Sequence, residues 1–190
     1  MNLLVDSSSG STQVTGDFGA ADLQFDCSSG SVTIDGGADE VGVDSSSGSV
    51  KVTASRPVRK VKADVSSGSV TVSGSVAELE IDSSSGSITV EGLTGSAKLS
   101  SSSGGISARW VSLPPPGTTI QADASSGSVH LTFPRGAVLA GVVDTSSGGI
   151  RSDFPGSFND EHDHLVLAGG AGSVQVKVDS SSGSVTLEAQ

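Results

Sequence analysis

Nine variations on one phrase, Asp-x-Ser-Ser-Gly-Ser followed by an aliphatic residue, punctuate the chain. Clear copies read Asp44-Ser45-Ser46-Ser47-Gly48-Ser49-Val50 and Asp82-Ser83-Ser84-Ser85-Gly86-Ser87-Ile88. Their glycines fall at Gly10, Gly30, Gly48, Gly68, Gly86, Gly104, Gly127, Gly148 and Gly183, spaced by 20, 18, 20, 18, 18, 23, 21 and 35 residues. A period of about 20 residues marks a stacked repeat array.

Aligning the copies on the glycine gives each column a physical role. Two and four positions after it stand pairs such as Val32/Ile34, Val50/Val52, Val70/Val72, Ile88/Val90 and Val185/Leu187. Seven and five positions before it stand Leu3/Val5, Leu23/Phe25, Val41/Val43, Val61/Ala63 and Leu79/Ile81. Apolar and polar residues alternate on both sides, the period of a strand with one buried face. Each repeat thus reads as strand, Ser-Ser-Gly bend, strand, then a looser turn such as Gly36-Gly37 or Gly74. The residue three before the glycine is small (Ser45, Cys27, Val65, Ala124, Thr145), suiting the inside of a narrow corner. The single cysteine, Cys27, belongs to this column and has no partner for an intramolecular disulfide.

One such unit cannot bury its apolar face alone, whereas stacked copies cover one another. The expectation is an all-β fold, a single parallel β-solenoid of about nine coils of 18–23 residues, right-handed by the usual preference of parallel crossovers. At about 4.8 Å per coil the rod would be roughly 40 Å long. An antiparallel sandwich is the alternative; identical bends recurring in one place favour the solenoid. The 190 residues fit one domain, 1–190, with loop insertions near 110–117 and 154–164. The first insertion, Trp110 to Gly117, holds three consecutive prolines that resist a central strand. The second runs from Phe154 to His164, after which Gly169-Gly170-Ala171-Gly172-Ser173-Val174 is expected to open a final coil with Gly172 at its bend. Neither end carries a helix or proline-rich plug, so both are expected to be uncapped and open to end-to-end pairing.

A net charge of −11 disfavours nucleic acid and anionic membranes as partners. Five of the ten basic residues, Lys51, Arg56, Arg59, Lys60 and Lys62, are close in sequence. They read as a patch for an acidic partner or as a solvated face balancing nearby acids. No apolar run reaches a membrane span and no signal peptide precedes the first repeat. A cytosolic protein, or a piece of a longer secreted or membrane-tethered parent, fits this.

Eight copies carry Asp four positions before the glycine: Asp6, Asp26, Asp44, Asp64, Asp82, Asp123, Asp144 and Asp179, with Ser100 the exception. Stacked coils would align these into a ladder about 5 Å apart. Each could accept a backbone N–H two residues on, as in an Asx-turn; alternatively, a divalent cation could sit between rungs. His162 and His164, beside Asp160, Glu161 and Asp163, are the other weak metal candidates, because a His-x-His pair on a strand points both rings to one face. An exposed acidic loop explains the same residues. Phosphate-loop, nucleophile-elbow and zinc-protease motifs are all missing, so neither an enzyme nor a cofactor is expected. Candidate contact residues are Trp110, Phe154 and Phe158 on the insertions and Arg56, Arg59 and Lys60 in the basic run.

The recurring Asp-x-Ser-Ser-Gly-Ser-Val/Ile-x-Val block with intervening Gly turns resembles the bacterial DUF4097 family, also called the toastrack domain. The similarity runs from Val5-Asp6-Ser7-Ser8-Ser9-Gly10 to Val178-Asp179-Ser180-Ser181-Ser182-Gly183-Ser184-Val185, including the approach Gly169-Gly170-Ala171-Gly172. It implies a β-solenoid-like, non-enzymatic, adhesin-like scaffold of the bacterial cell envelope, with no catalytic residues to transfer. Three functions follow: a scaffold meeting a protein or cell-surface partner; a self-assembling solenoid, a homo-oligomer through its ends, in the cytoplasm; and, remotely, a polysaccharide-active β-helix enzyme.

Overall fold

The computed structural model describes residues 2–170 and 172–190; Met1, and Ala171 within the approach to the last coil, lie outside the described residues. Eighteen strands and no helix form among them. In chain order these are β1 (Asn2–Ser7), β2 (Thr12–Asp17), β3 (Asp22–Cys27), β4 (Val32–Gly37), β5 (Glu40–Ser47) and β6 (Val50–Ala54). There follow β7 (Val58–Ser67), β8 (Val70–Ser85), β9 (Ile88–Ser103), β10 (Ile106–Trp110), β11 (Thr119–Ser126) and β12 (Val129–Phe133). The last six are β13 (Leu139–Thr145), β14 (Ile150–Ser152), β15 (Gly156–Phe158), β16 (His164–Ala168), β17 (Val174–Ser182) and β18 (Val185–Ala189).

The strands before the bends stack in parallel as a first sheet, in the order β1, β3, β5, β7, the second halves of β8 and β9, β11, β17, β13. The strands after the bends form a second sheet: β2, β4, β6, the first halves of β8 and β9, β10, β12, β18, β14. The fold is a parallel β-solenoid. Equivalent residues pair in register, for example Val5 with Phe25 and Val70 with Ile88. The aliphatic columns meet between the sheets, where Val32, Val61, Val70, Ile81 and Leu99 have no exposure. From the second rung onward the small column before each bend is buried too, and Thr145 Oγ1 donates to the Gly183 carbonyl at 2.9 Å.

The bend survives stacking because of its glycine. Each has a positive φ, from 101° at Gly10 to 153° at Gly148, a region that L side chains avoid. A Cβ on any of the eight covered bends would overlap the carbonyl oxygen of the glycine one rung below. Backbone hydrogen bonds therefore continue around the corner, as in Gly48 N–H to Ser67 O (2.8 Å) and Val50 N–H to Ser69 O (2.9 Å).

The winding departs from expectation at its end. The solenoid winds for about seven turns in chain order rather than nine coils, and the last two rungs do not stack in that order. The bend of Gly183 lies on that of Gly127, and the bend of Gly148 lies on that of Gly183. The C-terminal copy is thus wedged between β11–β12 on one side and β13–β14 on the other. Side-chain content explains the exchange. The Gly148 copy offers Gly141 and Ser152 to the inner columns, whereas the C-terminal copy offers Val176, Val178, Val185 and Leu187, all at most 2% exposed. The more apolar copy takes the doubly covered site.

A second correction concerns the ends. The residues between these two copies form a hairpin: β16 pairs antiparallel with β13, and β15 antiparallel with β16. Its turn offers carbonyl acceptors to the terminal rung, His162 O accepting from Ile150 N–H (3.0 Å) and Asp163 O from Thr145 N–H (2.8 Å). The end that carries β13 and β14 is therefore capped, contrary to expectation. Gly172 makes no stacked bend; it belongs to the connection into β17.

The bends provide a direct test. Gly68→Ala introduces both an unfavourable φ and overlap with the Gly48 carbonyl, and is expected to cost roughly 3–5 kcal/mol. Gly10→Ala, on the terminal rung with nothing within 4 Å, meets only the backbone strain and should cost about 1–2 kcal/mol. Urea denaturation of the two variants beside wild type checks the ranking; equal losses would show that the stacking contact is unimportant.

Candidate functional site: the outer face of the first sheet

Alternation along the strands of the first sheet leaves three columns of side chains facing solvent. The column nearest the bends contains the aspartates. Asp6, Asp26, Asp44, Asp64 and Asp82 pair in register, Ser100 interrupts, and Asp123, Asp179 and Asp144 complete the ladder. These residues are in extended strands and the described ladder carboxylates accept no backbone N–H, so they are not Asx-turns. That geometry occurs instead at Asp17, whose carboxylate accepts from Gly19 N–H at 3.0 Å. This backbone bond, followed by Arg56, holds Asp17 below the usual carboxylate range. Two ladder members have side-chain partners: Gln121 donates to Asp123 at 2.7 Å, and Asp144 pairs with His164 Nδ1.

The middle column reads Leu4, Gln24, Gly42, Lys62, Glu80, Lys98, Gln121, Lys177, Val142 in rung order, and the outer one begins Asn2, Asp22, Glu40, Lys60, Glu78. Opposite charges sit on neighbouring rungs: Lys60 between Glu40 and Glu78, and Glu80 between Lys62 and Lys98. Such cross-strand pairs favour the observed register. The Lys98 ammonium donates to Glu80 at 3.3 Å and, with the field of Lys62, holds the Glu80 carboxyl below its ordinary value.

Gly42 leaves a notch in the middle column. A cavity of about 540 Å³ opens there, lined in part by Leu4, Gln24, Glu40, Lys60 and Lys62. A second, of about 370 Å³, continues past Gly42 and Lys62 to Asp26, Asp44 and Asp64. Together they make a shallow polar groove across four rungs. Its size suits a small ligand, and its walls mix charged and amide side chains with Leu4, where such sites are usually predominantly apolar.

The basic run does not form one patch. Lys51 points out from the second sheet; Arg56 and Arg59 lie at the opposite corner; Lys60 and Lys62 reach the groove. Arg56 pairs with Asp17 at 2.9 Å, and Arg59 with Asp39 at 3.2 Å and with Glu40. Two of the candidate contact residues are thus engaged within the chain.

Trp110 is not available to a partner either. It ends β10 with no exposure, donates its indole N–H to Gly95 O at 2.9 Å, and stacks on Phe133 with centroids 4.6 Å apart. Phe133 in turn meets Phe154 edge-on at 5.7 Å. These rings fill the core at the corner away from the Ser-Ser-Gly bends. Phe158, on edge strand β15, remains 38% exposed and stacks against the His162 ring. His162 occupies the hairpin turn at φ 57° rather than a strand, so its ring does not join that of His164 on one strand face. Among the described residues no three His, Cys, Asp or Glu side chains converge to hold a metal ion.

The family model described as Toastrack DUF4097 matches residues 37–188. The chain belongs to that family. This Toastrack chain therefore has a repeat scaffold as its fold, and the match covers the groove's Gly42 side as well as the exchanged terminal rungs. No curated protein and no solved structure matches it significantly. No helix among the described residues is long and apolar enough to cross a membrane. Of the Toastrack chain's outer face, sequence columns alone showed the aspartate ladder; the groove was missed, although Gly42, the only glycine in its column, was its signal.

Two measurements check these assignments. Trp110→Ala should cost about 3–5 kcal/mol in urea unfolding, as expected for core truncation; a surface ring would cost almost nothing. The depressed Glu80 carboxyl adds stability above the ordinary glutamate value of 4.5 that is lost as pH falls through its lower folded value. Glu80→Gln should be about 0.5–1 kcal/mol less stable than wild type at pH 7, with the gap closing as acidification proceeds below pH 4.5.

Proposed function

We propose that this Toastrack domain is a non-catalytic interaction scaffold, an adhesin-like module of the bacterial cell envelope, and that the outer face of its first sheet meets the partner. The observation that carries this reading is the groove at Gly42. It lies on rigid, in-register strands and joins two ammonium groups, Lys60 and Lys62, to an acidic column. Sites on regular strands hold their geometry better than sites on loops, and mixed charges favour a polar protein or glycan surface over a lipid one. Several further points support a role without catalysis. The carboxylates recur at one spacing along one column instead of flanking a cleft, and glycosidic chemistry needs two that differ in position and role. Family membership supports a scaffold in the same way. Growth of the solenoid into filaments is disfavoured by the hairpin that caps one end.

Co-sedimentation of the purified protein with isolated bacterial cell envelopes tests this. Gly42→Gln fills the groove at little structural cost, because a Cβ there meets only the movable tip of Gln24. Combined with Lys62→Gln, which removes the ammonium without setting a like charge beside Glu80, it should lower the bound fraction about tenfold while lowering the thermal melt by no more than about 2–4 °C. Absence of wild-type binding would sink the envelope reading. Equal binding by wild type and variant would move the contact off this face.

A further inference from the structure

The two ends of the solenoid are chemically unlike. At the capped end the first sheet finishes in β15, three residues long and preceded by Pro155, and two donors flanking the bend of the terminal rung, Thr145 N–H and Ile150 N–H, are taken by the hairpin turn. Short, proline-flanked edges are how sheets avoid further pairing. At the other end, β1 and β2 are six residues each, carry no proline, and among the described residues pair only with β3 and β4. Their outer edges present unpaired backbone donors and acceptors. The inner columns lie open on the same surface, with Leu3, Val5, Val14 and Phe18 only half-buried against the core. Leu4 is 73% exposed in a column that is Gln, Gly, Lys, Glu, Lys on the next five rungs.

From these features we infer that this end binds a second copy of the chain, β1 against β1, about a two-fold axis normal to the sheets. Such an axis keeps each sheet's outer face outward and makes the two β1 strands antiparallel. Centred on Leu4, the pairing is self-complementary. Leu4 lies opposite Leu4 of the second copy, Leu3 opposite its Val5, and Asn2 opposite its Asp6. The inner apolar columns continue through the junction, and the exposed leucines cover each other. Each Asp6 carboxylate faces an amide instead of the other Asp6, so the two acidic ladders are offset where they would otherwise repel. With the far end capped, association stops at two. The assembly is a closed, isologous dimer. Leu4 also lines the Gly42 groove, but the readouts below, self-association and cross-linking of the purified chain, do not depend on whether that groove binds an envelope partner.

Sedimentation velocity over a wide concentration range tests the stoichiometry: monomer and dimer are expected, and nothing larger. Leu4→Lys sets two ammonium groups opposite each other and should weaken the dimer about tenfold or more without changing the melt. Leu4→Cys supplies the register test. Directly opposed Cβ atoms in an antiparallel pair are about 4.5–5.5 Å apart, near disulfide reach, and the sole native cysteine, Cys27, is buried. Mild oxidation should give a covalent dimer from Leu4→Cys and none from Ser157→Cys at the capped edge. A wild type that stays monomeric at every concentration overturns the inference. So would rods, or equal cross-linking by both cysteine variants.

Discussion

Everything in this molecule depends on how closely one rung can approach the next at the Ser-Ser-Gly bend. The backbone ladder must turn a corner without losing its hydrogen bonds, and at that corner the carbonyl of each glycine occupies the space a Cβ would need on its neighbour. Glycine meets two demands there, a positive φ and the absence of a side chain. With the corner closed at strand spacing, the two sheets are held face to face. Their aliphatic columns then form one continuous core with few aromatic residues. The small residue before each bend follows from the same constraint, since the corner has room inside for Ser, Ala, Thr, Val or Cys27 only. Ser45 shows the limit of that arrangement, with a buried hydroxyl that has no partner.

In-register stacking makes each outward column a row of like residues unless the sequence alternates them. The middle and outer columns do alternate, setting Lys60 between Glu40 and Glu78 and Glu80 between Lys62 and Lys98 on rungs three to six. The column by the bends does not, and collects the aspartates. Of the two roles the sequence offers these aspartates, turn formation is ruled out, because the bend's hydrogen bonds come from the rung-to-rung ladder and the carboxylates stand in extended strand with no turn to cap. The face therefore carries a polar pattern fixed by rigid strands, with one interruption at Gly42. That combination gives the face its claim as a binding surface.

Alternation and recurrence were enough to identify the parallel solenoid, its inner columns, the narrow corner and the aspartate row, because each is a property of one repeat and its copy. Contact residues were harder to read. Trp110 and Phe154 looked like loop residues because prolines and a gap surrounded them; in three dimensions they join Phe133 to thicken the core. Arg56, Arg59, Lys60 and Lys62 looked like one patch, yet a corner and the alternation of β7 send them to different surfaces. Nearness in sequence does not give nearness in space where the chain turns every few residues.

The sequence by itself determined what a rung is: which residues face in, where it bends and why the bend must be glycine, since those follow from local sterics and a period of two. Only the tertiary structure decided which rung lies beside which. Near-identical copies can stack in more than one order, and the choice turns on total burial. The copy ending in Val185 and Leu187 gains more from two neighbours than the copy with Gly141 and Ser152. The chain therefore caps its end with a hairpin and returns to fill the place beneath it, a decision that no single repeat encodes.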